Sequence, residues 1–183
     1  MNTNDKIVST SKFLSLILRH EPSKIGLTLD AQGWANIDEL ISLSQRSGKR
    51  INRALIEEVV TTNDKQRFII SDDGRKIRAN QGHSVKIDLG LQPSVPPDTL
   101  YHGTATRFVQ SIRTQGLLHG SRQHVHLSAE KATAIKVGSR HGMPTVLIVA
   151  ARKMHDEGHH FYLSENGVWL TGHVPVSFIE FAS

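Results

Sequence analysis

Leu100-Tyr101-His102-Gly103-Thr104 is the stretch on which the reading of the fold turns. A short apolar run reads as a strand that delivers a histidine and then a glycine at the start of a loop. After Thr104 a helical pattern begins, with Phe108, Val109 and Ile112 at helical spacing and Gly116 as its stop. A strand ending in His-Gly-Thr offers a ring donor, a backbone with no Cβ to block close approach, and a hydroxyl. That set suits a ribose-phosphate ligand. A tight turn around a buried histidine also accounts for it, because short motifs match by chance.

Working outward, the second half of the chain alternates strands with two short helices. Strands are expected at 100–102, 124–128, 145–151, 160–163, 168–171 and 178–181, and helices at 105–115 and 129–137 with Ser128 as an N-cap. Mostly strand with segregated helices implies an α+β class. The first half reads differently. Residues 6–20 form an amphipathic helix with Ile7, Phe13, Leu14, Ile17 and Leu18 on one face, ended by Pro22. Residues 26–30 look strand-like. Asn36 and Glu39 make a capping box that opens a second helix, and a third runs over 51–60. Residues 66–71 and 76–79 form a hairpin turned at Asp72-Asp73-Gly74. Helices followed by a hairpin are the order of a winged helix, a fold that does not by itself fix function. Gly82, Gly90, Pro93, Pro96 and Pro97 mark residues 80–98 as a linker, which gives two domains, 1–92 and 93–183.

Composition narrows the classes. The chain has 183 residues, 38% of them hydrophobic, enough to bury a core. No apolar run approaches the roughly 20 residues of a membrane span, and the polar opening 1–5 lacks a signal-peptide pattern. Cysteine is absent, which excludes disulfides, thiolate metal sites and a cysteine nucleophile. A soluble, cytoplasmic, monomeric protein without a membrane partner is expected. The net charge of +5 favours an anionic partner such as RNA. Of 11 histidines only His20 and His83 precede Pro96, so the two halves do different work.

Three chemistries can be weighed. His124 and His126 share a strand face and could hold zinc, but the His155-Asp156-Glu157-Gly158-His159-His160 stretch reads as a turn and no H-E-x-x-H exists; no metal is expected. No serine sits in a nucleophile elbow, and neither a dinucleotide nor a P-loop glycine pattern occurs. Basic residues remain: Arg19-His20 in the last turn of the first helix, Arg67 on a strand opposite Phe68 and Ile70, and Arg140-His141 in a glycine-flanked loop. Arginine's planar fork suits a phosphate dianion. Cations also suit a helix C-terminus, and spacing alone does not show whether the three regions converge.

A set of blocks along the chain carries a resemblance. Ser11-Lys12-x-Leu14-Ser15-x-x-Leu18-Arg19-His20-x-Pro22 opens it, and Leu29-Asp30-x-x-Gly33-Trp34, Lys65-Gln66-Arg67-Phe68 and Ile77-Arg78-Ala79-Asn80-Gln81-Gly82-His83-Ser84 continue it. Leu100-Tyr101-His102-Gly103-Thr104, His124-Val125-His126-Leu127-Ser128, Gly138-Ser139-Arg140-His141-Gly142 and Asn166-Gly167-Val168-Trp169-Leu170-Thr171 complete it. In this order they resemble the KptA/Tpt family of NAD-dependent RNA 2′-phosphotransferases.

The resemblance implies an N-terminal winged-helix lobe that binds RNA phosphate and a C-terminal ADP-ribosyltransferase-like lobe with a split β-sheet that binds NAD. The implied reaction removes an internal 2′-phosphate from RNA, of the tRNA splice-junction type, with NAD as co-substrate and no metal. A 2′-phospho-ADP-ribosylated RNA forms first; the products are RNA with a free 2′-hydroxyl, ADP-ribose 1″,2″-cyclic phosphate and nicotinamide. The implied catalytic set is Arg19, His20, Arg67 and Arg140. His102, Gly103, Thr104, His126, Ser128, Gly138 and Ser139 are the implied NAD-binding residues. Protein-modifying ADP-ribosyltransferases usually place a glutamate on a late strand. Here 169–175 contains no carboxylate, as suits an already anionic nucleophile. The rival readings are a general ADP-ribosyltransferase acting on nucleic-acid ends or protein, and a winged-helix nucleic-acid binder without catalysis.

Overall fold

The structure, a computed structural model, describes residues 2–181. The chain divides into two compact units, residues 1–90 and 91–183. Both mix helices with small antiparallel sheets, an α+β architecture.

The first unit opens with α1 (Thr3–Arg19), whose N-cap Asn2 accepts a hydrogen bond from the Asn4 N–H. A 3₁₀ turn at Pro22–Ile25 follows. The expected strand over 26–30 does not form. The Leu27 N–H turns back to the Pro22 carbonyl at 2.9 Å. The Asp30 carboxylate accepts from the Gln32 and Trp34 N–H groups at 3.0 and 2.9 Å, so its local side-chain bonds outcompete a ladder. Next come β1 (Ala35–Asn36), α2 (Ile37–Arg46), α3 (Arg53–Thr62), β2 (Phe68–Ile70) and β3 (Lys76–Ala79). Asn36 caps α2 as its sequence signature predicts, accepting from the Glu39 N–H at 3.0 Å. The three strands pair in the order β1-β3-β2, with Ala35 opposite Ile77 and Phe68 opposite Ala79. Leu14, Ile17, Leu18, Ile37, Ile56 and Ile77 are buried without exposure at the centre of the core.

The expected linker over 80–98 is also corrected. Residues 77–83 form an unbroken buried run, including the polar Asn80, Gln81 and His83. Ser84 and Val85 donate their N–H groups to the Arg19 carbonyl, and the Asp88 N–H bonds to the Ala31 carbonyl at 2.8 Å. Backbone hydrogen bonding keeps this polar segment on the first unit in spite of its glycines.

In the second unit, β4 (Leu100–Ala105) is followed by a 3₁₀ turn (Thr106–Phe108), α4 (Val109–Gln115), β5 (Leu117–Leu118), β6 (Val125–Leu127) and α5 (Lys131–Gly138). A 3₁₀ turn (Ser139–His141) leads to β7 (Pro144–Val149), α6 (Ala151–Asp156), β8 (Phe161–Leu163), β9 (Trp169–Thr171), β10 (His173–Val174), a further 3₁₀ turn (Val176–Phe178) and β11 (Ile179–Glu180). The sheets run β11-β7-β4, β6-β9-β8 and β10-β5. Tyr101 and Ser128 exchange backbone hydrogen bonds of 2.8 Å in both directions, joining β4 to the end of β6. The expected cap at Ser128 falls short: α5 begins at Lys131 with Glu130 as its N-cap, and the Ser128 hydroxyl accepts only from the Glu130 N–H at 3.5 Å. Leu100, Leu147, Val149, Met154 and Phe161 are the fully buried centre of this core. The strand expected at 145–151 yields to α6 at Ala151. Among the described residues no helix is long and apolar enough to cross a membrane.

Candidate functional site

Arg19 is the last residue of α1 and His20 its C-cap, with the His20 N–H on the Leu16 carbonyl at 3.0 Å. Arg67 does not lie on a strand as expected; it immediately precedes β2. All three meet one segment, residues 80–84. The Asn80 N–H donates to the Arg67 carbonyl at 2.9 Å, and the Asn80 side-chain amide donates to the Gln66 carbonyl. Gln66 takes φ +44°, unusual for a residue with a side chain. Gly82, at φ +89°, lies against the Arg19 side chain: a Cβ there would stand 3.4 Å from its Nε and Cζ. The Ser84 Oγ is 2.9 Å from His20 Nδ1. The segment thus touches the side chains of Arg19 and His20 and the backbone of Arg67.

Two further side chains shape this corner. Arg78, buried on β3, lies over the Trp34 ring at 4.6 Å. His83 is 1% exposed, and neither ring nitrogen has a hydrogen-bond partner. Burial first, then the positive charges of Arg19, His20 and Arg78, push its imidazole down to about 4. His83 is therefore neutral at pH 7 and adds no charge of its own. Asn80, Gly82 and Ser84 carry no individual role in the sequence reading. Their only mark there is membership of the block 77–84, because a buried polar loop has no periodicity.

The second unit carries the remaining residues. His102, Gly103 and Thr104 lie inside β4, which continues to Ala105 instead of breaking at the histidine. The ladder with β7 carries it on, with Gly103 opposite Val146 and Ala105 opposite Pro144, and α5 packs so close that a Cβ on Gly103 would stand 1.7 Å from the Ala134 carbonyl oxygen. A Cβ on Gly138 would stand 2.8 Å from the Thr104 carbonyl oxygen. Both glycines are thus required for a helix to cross a strand backbone to backbone. His102 donates Nδ1–H to the His126 carbonyl at 3.0 Å. Burial lowers its pKa, the bond to His126 opposes this, and Arg122 lowers it further. The ring is neutral, with Nε2 as its acceptor. Arg122 reaches His126 Nδ1 at 3.3 Å, and His124 tilts against Tyr162 with centroids 5.6 Å apart. Burial, then His119, lowers the His124 pKa as well.

Ser139 donates to the Lys136 carbonyl at 2.8 Å and ends α5. Arg140 follows, exposed, two residues past the glycine crossing. No three His, Cys, Asp or Glu side chains among the described residues are placed to share a metal ion.

Comparison with known proteins converges on one group. Residues 5–173 match the family model described as RNA 2′-phosphotransferase, Tpt1/KptA family. A probable RNA 2′-phosphotransferase of Rhodopirellula baltica is 57% identical over 182 residues, covering 99% of both chains. A protein of the same description from Pseudomonas paraeruginosa is 58% identical, covering 93% of this chain and 94% of its own length. One from Shigella boydii is 54% identical, with 97% of each chain covered. With the match spanning the Arg19-His20 corner, the Arg67 corner and the β4–α5 crossing alike, the chain belongs to the RNA 2′-phosphotransferase, Tpt1/KptA family.

Proposed function

We propose that the protein removes an internal 2′-phosphate from RNA by transferring it to NAD. The observation that supports this reading is the 80–84 segment, which lies against the Arg19 and His20 side chains and hydrogen-bonds the Arg67 backbone. A phosphate dianion needs fixed donors, and guanidinium groups held at the ends of elements supply them without reorganisation. Arg19 and Arg67 bind the 2′-phosphate oxygens. His20 passes a proton to the departing RNA oxygen. Arg140, on the second unit, is a further guanidinium whose fork suits phosphate oxygens.

NAD, as co-substrate, supplies an anomeric carbon with nicotinamide as leaving group and a ribose hydroxyl that takes over the phosphorus. The residues of the second unit fit such a ligand. The neutral His102 has its Nδ1–H committed to His126 and an Nε2 lone pair suited to a ribose hydroxyl. Thr104, His126 and Ser128 add polar atoms on the paired strands, and Gly103, Gly138 and Ser139 bring backbone close at the crossing. Neither β9 nor β10 carries a carboxylate that would repel the phosphate. The first unit is read as a winged-helix lobe, on the order α1, β1, α2, α3 and then the β2–β3 hairpin. The second is read as an ADP-ribosyltransferase-like lobe with its sheet split in two.

The test uses a short RNA with one internal 2′-phosphate, incubated with the protein in EDTA, with and without NAD. Loss of the phosphate that requires NAD is expected. NAD consumption with a stable ribosylated RNA or protein would replace the proposal with a general ADP-ribosyltransferase. No NAD chemistry would leave a binding protein.

A further inference from the structure

The proposed chemistry needs His20 to present one particular nitrogen, and an imidazole at a helix end is not oriented by the helix itself. Free imidazole side chains in water also favour the tautomer with the proton on Nε2. The 80–84 segment acts on both points. Its backbone is fixed to α1 by two N–H donors on the Arg19 carbonyl, Ser84 at 2.8 Å and Val85 at 3.3 Å. The Ser84 hydroxyl is therefore carried on an anchored chain. Its Oγ stands 2.9 Å from His20 Nδ1 and 3.5 Å from the same carbonyl oxygen, so it can bridge the two. A hydroxyl that gives its hydrogen to the carbonyl receives the Nδ1–H.

We infer that Ser84 is a positioning residue: its hydroxyl holds the His20 ring with the proton on Nδ1, so that Nε2 faces the reaction. Ser84 touches neither phosphate nor nucleotide in this role and acts through His20 alone, as outer partners orient histidines elsewhere. The inference rests on the reading of His20 as the proton donor to the RNA oxygen. Around this corner the charged and titratable groups are Arg19 at the end of α1, Arg67 just before β2, Arg78 on β3, and His83 within the segment. His83, held down to about 4 by burial, stays neutral across the working range.

Two readouts on the full-length protein test this. The first is nitrogen NMR of protein labelled at histidine, with His20 identified by its disappearance in His20→Gln. Above its titration, wild-type His20 is expected to show a protonated Nδ1 and a bare Nε2. Ser84→Ala reverts toward the Nε2-protonated form, and Ser84→Thr keeps the wild-type pattern. The second is the single-turnover rate of phosphate loss from 2′-phosphorylated RNA between pH 5 and 9. Ser84→Ala slows it about tenfold, the worth of one hydrogen bond, with the KM for NAD unchanged. The alkaline limb of its profile moves to lower pH, because the imidazolium has lost an acceptor. Ser84→Thr restores rate and profile. An unchanged tautomer in Ser84→Ala, or superimposable pH profiles, overturns the inference. If wild-type protein shows no NAD-dependent phosphate loss, the functional reading falls instead, and the nitrogen shifts still decide whether Ser84 sets the ring.

Discussion

The two units hold their candidate site residues by opposite means. In the first, Arg19, His20 and Arg67 stand at the ends of elements, tied to a polar segment by hydrogen bonds from Asn80 and Ser84. In the second, His102 and Thr104 stand inside a strand whose position is set by bare backbone at Gly103 and Gly138. Side chains at element ends can be exchanged with little loss of core. Atoms inside a backbone crossing cannot. The lesson is that damage to the first unit should appear as lost chemistry, and damage to the crossing as lost structure.

Four substitutions would break or sharpen that contrast. Gly103→Ala drives a methyl into the Ala134 carbonyl, and is expected to cost on the order of 4 kcal/mol or more of stability. Urea unfolding followed by circular dichroism reads this, and an unchanged midpoint would refute the crossing. Arg67→Lys keeps the charge and loses the fork; phosphate transfer should fall about a hundredfold while the unfolding midpoint stays put. A large shift of that midpoint would show that Arg67 is structural.

His83 gives a pH test of the buried segment. Its folded pKa of about 4 lies below its unfolded value of 6.5. Between these the unfolded chain binds the proton more readily, so stability is complete above pH 6.5 and falls as the pH drops toward 4. From pH 7.5 to pH 5 the His83 contribution lost is about 2 kcal/mol. His102 and His124 shift in the same direction, so the difference between wild type and His83→Gln isolates this residue. Equal acid sensitivity in both proteins would mean the segment opens to water. The smallest effect is expected at the α2 cap. Asn36→Ala should cost about 1 kcal/mol and leave catalysis intact, the mirror of Arg67→Lys within the same unit.

Local rules made much of the first unit legible. The apolar stripe of α1, the Asn36 cap and the hairpin at Asp72-Asp73-Gly74 depend on neighbours within a few residues, and all three form as read. What depends on distant partners was not legible in this way. Gly103 reads as the end of a strand, because nothing nearby in sequence reveals the α5 carbonyl that needs its missing Cβ. Residues 80–84 read as linker for the same reason: their glycine and polar side chains resemble a loop until the end of α1 is placed beside them. Two-residue strands such as β5 and β10 carry too little pattern to announce themselves. Of the candidate site, residue identities came through the block resemblance. That Arg19, His20 and Arg67 share one anchor is a tertiary fact, and no spacing encodes it.

The glycine crossing has a mechanical consequence. Most helix–sheet contacts are cushioned by side chains that can change rotamer and absorb small displacements. At Gly103 and Gly138 there are no rotamers to exchange, so strand and helix move as one lever. Arg140, two residues beyond the pivot, inherits that stiffness: its main-chain position is geared to the strand that carries His102, whatever its own exposed side chain does.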